Sequence, residues 1–208
     1  MSQPYKLYGR PNAGSLAPQI ILEEVGAKYE LIWVGREAAD VEALRRVNPA
    51  GKVPALVLPD GTPIFESAAI LIHLTNVYRD ESLAPPVGTS AHARFLQWMV
   101  YVSSNVYESA LRWYYPDRYG TPGSDVAPAI KQQALVEHER QLALIHERLA
   151  PYVLGETWSA VDPYLHMLVG WHPDVSGLYA RLPKLARHAE LQRERPATQV
   201  AERAHAAT

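Results

Sequence analysis

The stretch Asn48–Leu74, NPAGKVPALVLPDGTPIFESAAILIHL, decides how the chain folds. Ala55-Leu56-Val57-Leu58 and Ile64-Phe65 are short apolar runs on either side of PDGTP. Asp-Gly between apolar runs signals a hairpin, and the flanking prolines Pro59 and Pro63 lengthen the turn. Ser67 then opens an apolar run to Tyr78 at helical spacing. The stretch reads strand, strand, helix, with Val53-Pro54 at its entrance and Glu66-Ser67 at the hinge between strand and helix.

Upstream, Tyr5–Tyr8 alternates as a short strand and GRPNAGS supplies turn residues. Ser15 stands at a helix start, ahead of Leu16, Ile20, Ile21, Leu22 and Val25, and Gly26 ends that helix. Tyr29–Val34 is a second strand. A helix between two strands implies a right-handed crossover and a parallel pair. Val41–Val47 is a short helix or irregular segment. Residues 1–79 are thus expected to form a βαβαββα domain of α/β type.

Downstream the composition changes. RDESLAPPVGTS marks residues 80–90 as a linker, and strand signals then nearly vanish. Ala91–Trp113 reads as one long helix with Phe95, Trp98, Met99, Val102 and Val106 on one face, and Ala127–Leu149 as another. In SAVDPYL, Ser159 fits an N-cap with Asp162 three residues on, a capping-box variant. Leu182–Arg195 is the last expected helix, and ATQVAERAHAAT is expected to be a loose tail. Residues 91–208 therefore read as an all-α domain.

The 208 residues are 48% hydrophobic and 20% charged, with net charge −2 and a sequence pI near 6.4. Nothing basic points to nucleic acid, and no polybasic anchor or long apolar run points to a membrane. The N-terminus lacks the apolar core of a signal peptide, so a cytoplasmic location is expected. With no cysteine, a protein thiol nucleophile, thiolate metal site or disulfide exchange is excluded. The eight histidines do not fall at metal-ligand spacing, so no metal is expected; His138 and His146 read as solvated residues of one helix.

The order of elements, with Val53-Pro54 before the hairpin and Glu66-Ser67 after it, resembles the glutathione transferase superfamily. The likeness covers nearly the whole chain. GKVPALVLPDGTPIFESAAILIHL is similar to the glutathione-binding core, and LGETWSAVDPYL to the buried folding motif of the helical domain. The resemblance implies a thioredoxin-like first domain, glutathione as co-substrate, a cis bond before Pro54, and a homodimer.

Physical chemistry gives the matched residues their expected roles. The Val53 N–H and C=O would pair with an extended peptide ligand as an added strand does. The Ser67 hydroxyl and the first free N–H groups of its helix suit the γ-glutamyl carboxylate. Glu66 would meet the ligand's ammonium, Lys52 its glycyl carboxylate, and Asn12 lies in the loop nearest the helix start. A hydroxyl near the sulfur at the positive end of a helix favours the thiolate. Ser15 is the catalytic candidate on that ground, with Tyr8 and Tyr107 as other hydroxyl donors. Each residue also has a plain structural role: an N-cap for Ser15, a strand-starting proline for Pro54, a solvated loop cation for Lys52.

Bacterial beta-class relatives carry a Cys in this loop and a His on the first helix of the second domain. Matching by motif places Gly14 and Tyr107 at those positions, so those roles do not carry over. The chain resembles serine-type or unclassified bacterial members instead. Tyr101, Asn105, Tyr107 and Trp113 are expected to line a pocket for a small hydrophobic electrophile. The expected reaction is attack of the glutathione thiolate on that electrophile. Two alternatives stand beside it: a non-catalytic glutathione- or ligand-binding protein, and a glutathione-dependent isomerase.

Overall fold

The computed structural model describes residues 3–80, 82–121 and 123–207. They divide into two compact units, Met1–Ala84 with Gln192–Thr208, and Pro85–Leu191.

In the first unit, β1 (Tyr5–Gly9), α1 (Leu16–Glu24), β2 (Tyr29–Trp33), α2 (Ala38–Leu44), β3 (Ala55–Val57), β4 (Pro63–Phe65) and α3 (Ser67–Tyr78) follow in order. This is the βαβαββα arrangement that the strand periodicity and turn chemistry predict. The sheet order is β2-β1-β3-β4. β1 pairs with β2 in parallel, Leu7 opposite Leu31, and with β3 antiparallel, Leu7 opposite Leu56. The β3–β4 hairpin closes as Leu58 N–H donates to the Thr62 carbonyl at 2.8 Å and Thr62 N–H to Asp60 Oδ1 at 2.9 Å. Gly61 supplies the positive φ of 90° that the turn needs. Leu7, Ile20, Ile21, Leu22, Ile70, Leu71 and Leu74 are fully buried. Each such side chain contributes about 1.5–3 kcal/mol on leaving water.

The expected loose tail is instead a helix, α10 (Pro196–Ala206), packed on α1. Ala197, Ala201 and His205, spaced by four, are its buried stripe. Small side chains let the two helices approach, with Ile20 and Leu16 against the alanines. His205 sets its ring edge-on to Trp33 at 5.0 Å. Glu24 accepts hydrogen bonds from Arg195 at the same contact.

The second unit holds α4 (Ser90–Tyr101), α5 (Glu108–Tyr114), α6 (Ala127–Arg148), α7 (Val161–Val169) and α8 (Val175–Arg181); α9 (Pro183–Glu194) starts within it. The helix expected over Ala91–Trp113 is not uniform: Val102–Tyr107 winds as a π-helical turn between α4 and α5. α7 is buried at every position, Asp162 and His166 included. At its N-terminus one half of the expected capping box forms, Asp162 reaching back to Ser159 N–H, while the Ser159 hydroxyl donates to Asp162 and caps no helix N–H. The Asp162 carboxylate accepts from Val153 N–H (2.9 Å), Ser159 N–H (2.7 Å), the Ser159 hydroxyl (3.1 Å) and His188 Nε2 (3.0 Å).

His138 is not a solvated helix histidine. It is buried with Ser109 and Gln141, and its Nδ1 lies 3.2 Å from the Val106 carbonyl and 2.9 Å from the Ser109 hydroxyl. Burial, with the neighbouring His172 second, lowers its pKa to about 4. The neutral ring therefore donates from Nδ1 to the Val106 carbonyl. No helix among the described residues is long and apolar enough to cross a membrane.

Candidate functional site

Three chain segments converge at one end of the sheet because of strand register. Tyr8 lies opposite Ala55, and Ala55 lies opposite Phe65. The residues just beyond these pairs are therefore neighbours: the loop after Gly9, Val53-Pro54, and Glu66-Ser67. The Val53–Pro54 peptide is cis, as the resemblance implies.

Asn48, which sequence reasoning left unassigned, shapes the approach to Val53. It is buried, its amide donates to the Lys52 carbonyl at 2.6 Å, and its side-chain oxygen accepts from Ala50 N–H at 3.0 Å. An Asx residue that hydrogen-bonds its own backbone two residues on is a local turn device, and NPAGK carries that signal. Gly51, with φ of 63°, lies beneath Arg45; a Cβ there would be 3.4 Å from Arg45 Nε. Lys52 itself is exposed. Among the described residues, neither the N–H nor the C=O of Val53 has a hydrogen-bond partner.

The start of α3 is the second component. Ile70 N–H is the first to find an acceptor, the Glu66 carbonyl at 2.9 Å. Among the described residues, the N–H groups of Ser67, Ala68 and Ala69 have no protein acceptor. Such a helix end attracts an anion, because free donors and the helix dipole act together. Glu66 is exposed and holds φ of 72°, a left-handed backbone that a non-glycine residue adopts at a cost of order 1–3 kcal/mol. Strain of this kind, at a helix entrance with open donors, is a mark of a binding site.

The third component is the loop Arg10–Ser15. The Ser67 hydroxyl donates to the Gly14 carbonyl at 3.3 Å and joins this loop to α3. Asn12 is exposed with φ of 51°. Ser15 is fully buried at the head of α1 and makes no side-chain cap bond. Its hydroxyl lies 3.3 Å from both the N–H and the carbonyl of Arg10. Gly9 is glycine for a steric reason: a Cβ there would stand 2.6 Å from Ser15 Oγ. Tyr8 is half-buried in β1.

The four residues expected to meet an electrophile lie in the second unit in different settings. Tyr101 packs edge-on against Trp98 at 5.6 Å, and burial raises its pKa. Asn105 donates to the Ser104 hydroxyl at 3.1 Å on the π turn. Tyr107 sits between Trp171, edge-on at 5.2 Å, and Tyr164 at 6.2 Å. Trp113 carries the Lys131 ammonium over its ring at 4.4 Å. The π turn joins Asn105 and Tyr107; Trp113 belongs to a separate group of cations and rings. Turns of this type recur at functional positions, and no residue pattern in 102–107 announced it. Among the described residues no group of three or more His, Asp or Glu could hold a metal ion.

Comparison with known proteins agrees with this fold. Residues 15–77 match the family model for the glutathione S-transferase N-terminal domain. Glutathione S-transferase GstA of Escherichia coli O157:H7 is 29% identical over 199 residues, 93% of this chain and 95% of that protein. The structure of a sphingomonad glutathione S-transferase complexed with glutathione is 32% identical, with a TM-score of 0.82 over 98% of this chain and all of that one. Elongation factor 1-gamma of Prunus avium is 30% identical over 161 residues, 74% of this chain but 36% of that longer protein. The chain belongs to the glutathione S-transferase superfamily.

Proposed function

We propose that the protein is a glutathione transferase: it binds glutathione at the sheet end, favours the thiolate, and promotes its attack on an apolar electrophile. One observation carries the reading. An unpaired main-chain edge at Val53 and the open N–H groups of Ser67, Ala68 and Ala69 stand at the same end of one sheet. That arrangement fits an extended peptide with a carboxylate at one end. The glutathione bound by the sphingomonad relative supports the choice of ligand. Val53 and Pro54 align the peptide, Ser67 and the α3 donors take the γ-glutamyl carboxylate, and Glu66 meets the ammonium. Lys52 takes the glycyl carboxylate, and Asn12 borders the cysteinyl arm.

Ser15 is the candidate thiol donor. To hydrogen-bond the sulfur, its hydroxyl must exchange the Arg10 carbonyl for the thiolate. The electrophile meets Tyr101, Asn105, Tyr107 and Trp113. The thiolate forms the new bond to carbon, and the displaced group leaves with the electron pair.

A second reading, a glutathione-binding protein without transferase activity, has one observation in its favour: the Ser15 hydroxyl is buried and already engaged. Ser15→Ala separates the two. The transferase reading expects a raised pKa for the bound thiol and a kcat/KM at least about tenfold lower, equivalent to about 1.4 kcal/mol. Unchanged kinetics remove Ser15 from catalysis. Wild-type protein that binds glutathione but conjugates none of a panel of activated aryl halides, epoxides and enones supports the second reading.

A further inference from the structure

Arg112, Arg118 and Lys131 rest on aromatic faces within one short stretch of the second unit. After α5 the chain reverses at Tyr115, and a single 3-10 turn, Pro116–Arg118, follows. The reversal interlocks two Arg–Tyr pairs. Arg118 of the turn lies over Tyr115 at 3.9 Å, and Arg112 of the helix lies over Tyr119 at 5.7 Å. On α6, Lys131 covers Trp113.

Among the described residues, Arg112 alone of these three cations has a carboxylate within ion-pair distance. Glu108 stands 3.9 Å from Arg112 Nε, the long limit of an ion pair, and the same oxygen accepts the Tyr119 hydroxyl at 2.7 Å. Burial first, then Glu108, pushes the Tyr119 pKa up to about 12, so this phenol stays protonated and remains a donor. Asp117 and Asp125 are exposed on the same stretch. Among the described residues, neither pairs with Arg118 or Lys131, and those two cations meet no carboxylate at all. A surface guanidinium with acids in reach ordinarily alternates among them at little net gain. Here a ring fixes the guanidinium plane and leaves its edge donors open, the pre-organised fork that binds a carboxylate in bidentate fashion. Tyr114 and Tyr119 are 51% and 40% exposed beside it, enough ring surface for an aromatic ligand to rest on.

We infer that the turn after α5 is an anion-recognition platform that binds aromatic carboxylates, with Arg118 and Arg112 as the residues that recognise the carboxylate. The inference rests on the transferase reading for what happens to the ligand, not for whether it binds. Where an activated chloroarene carries that carboxylate, the glutathione thiolate forms a C–S bond at the aryl carbon and chloride leaves with its electron pair.

A ligand pair matched in shape but not in charge tests it on the full-length protein. Calorimetry compares 3,5-dinitrobenzoate with the neutral 3,5-dinitrobenzamide, and conjugation is followed with their 4-chloro counterparts. The wild type is expected to bind the acid at least about tenfold more tightly than the amide, the size of one charge-assisted contact. Arg118→Gln and Arg112→Gln should each remove most of that preference and leave amide affinity unchanged. Arg203→Gln, on α10, should leave the preference intact. Equal binding of acid and amide by the wild type, binding of neither, or a preference that survives both variants overturns the platform. Acid-selective binding with no turnover of either chloride overturns the transferase reading and leaves the platform standing. Turnover without acid preference does the reverse.

Discussion

Replacing Asp162 by alanine should cost more stability than removing any other single polar side chain of the helical unit. The carboxylate is fully buried, as is its partner His188. Four donors converge on it: two backbone N–H groups, a hydroxyl and an imidazole nitrogen. Truncation leaves all four without an acceptor where water does not reach. One buried donor without a partner costs about 1–3 kcal/mol, and breaking a buried charged contact costs about 3–5 kcal/mol. Local repacking prevents a full sum, so a loss of about 3–5 kcal/mol is expected. In a protein of this size each kcal/mol moves the melting temperature by roughly 2–4 °C, giving a fall of roughly 6–20 °C. Thermal melts followed by far-ultraviolet circular dichroism, with urea titrations beside them, read the change. His188→Phe should give a smaller loss, because three donors keep their acceptor. An Asp162→Ala melt within about 2 °C of wild type would refute the reasoning, since it would mean these donors find other partners or water.

Other outcomes follow from particular contacts. Ser67→Ala removes a hydroxyl that exchanges its Gly14 carbonyl partner for the ligand carboxylate, so glutathione affinity measured by calorimetry should fall about 5- to 30-fold. Gly9→Ala drives a methyl group to 2.6 Å from Ser15 Oγ; displacing that loop should cost about 1–3 kcal/mol in urea unfolding and weaken glutathione binding more than Gly61→Ala does. Burial lowers the His205 pKa from 6.5 to about 4. The folded state thus resists a proton that the unfolded chain accepts, so this contribution is complete above about pH 6.5 and is lost as pH falls toward 4. His205→Phe should make the urea midpoint less steeply dependent on pH across that window; an unchanged slope would contradict the assignment.

The sheet half of the molecule was legible because its signals are local. Alternation in Tyr5–Tyr8, the Asp60-Gly61 turn and the apolar run after Ser67 each fix structure within a few residues, and strand register then carries Val53 and Glu66-Ser67 to one end. Features built on contacts between distant residues were not legible. α10 hides its buried stripe in Ala197, Ala201 and His205, which carry little hydrophobic contrast against the polar residues between them. His188 reaches Asp162 across 26 positions, and His138 reaches Val106 across 32. The π turn keeps Val102 and Val106 four apart, a spacing that an ordinary α-helix satisfies equally well. At the candidate site the type of residue was readable but its occupation was not: Ser15 was visible as a hydroxyl at a helix start, yet its engagement with Arg10 depends on how GRPNAGS folds.

Titration of the glutathione thiol in the wild-type complex, read by the ultraviolet absorbance of the thiolate, tests the central claim most directly. If the open edge at Val53 and the donors of α3 hold the tripeptide with its sulfur at the head of α1, the bound thiol should titrate roughly two to three units below the ordinary cysteine value of about 8.5. A bound thiol that titrates with the free one, or no association at millimolar glutathione, would contradict it.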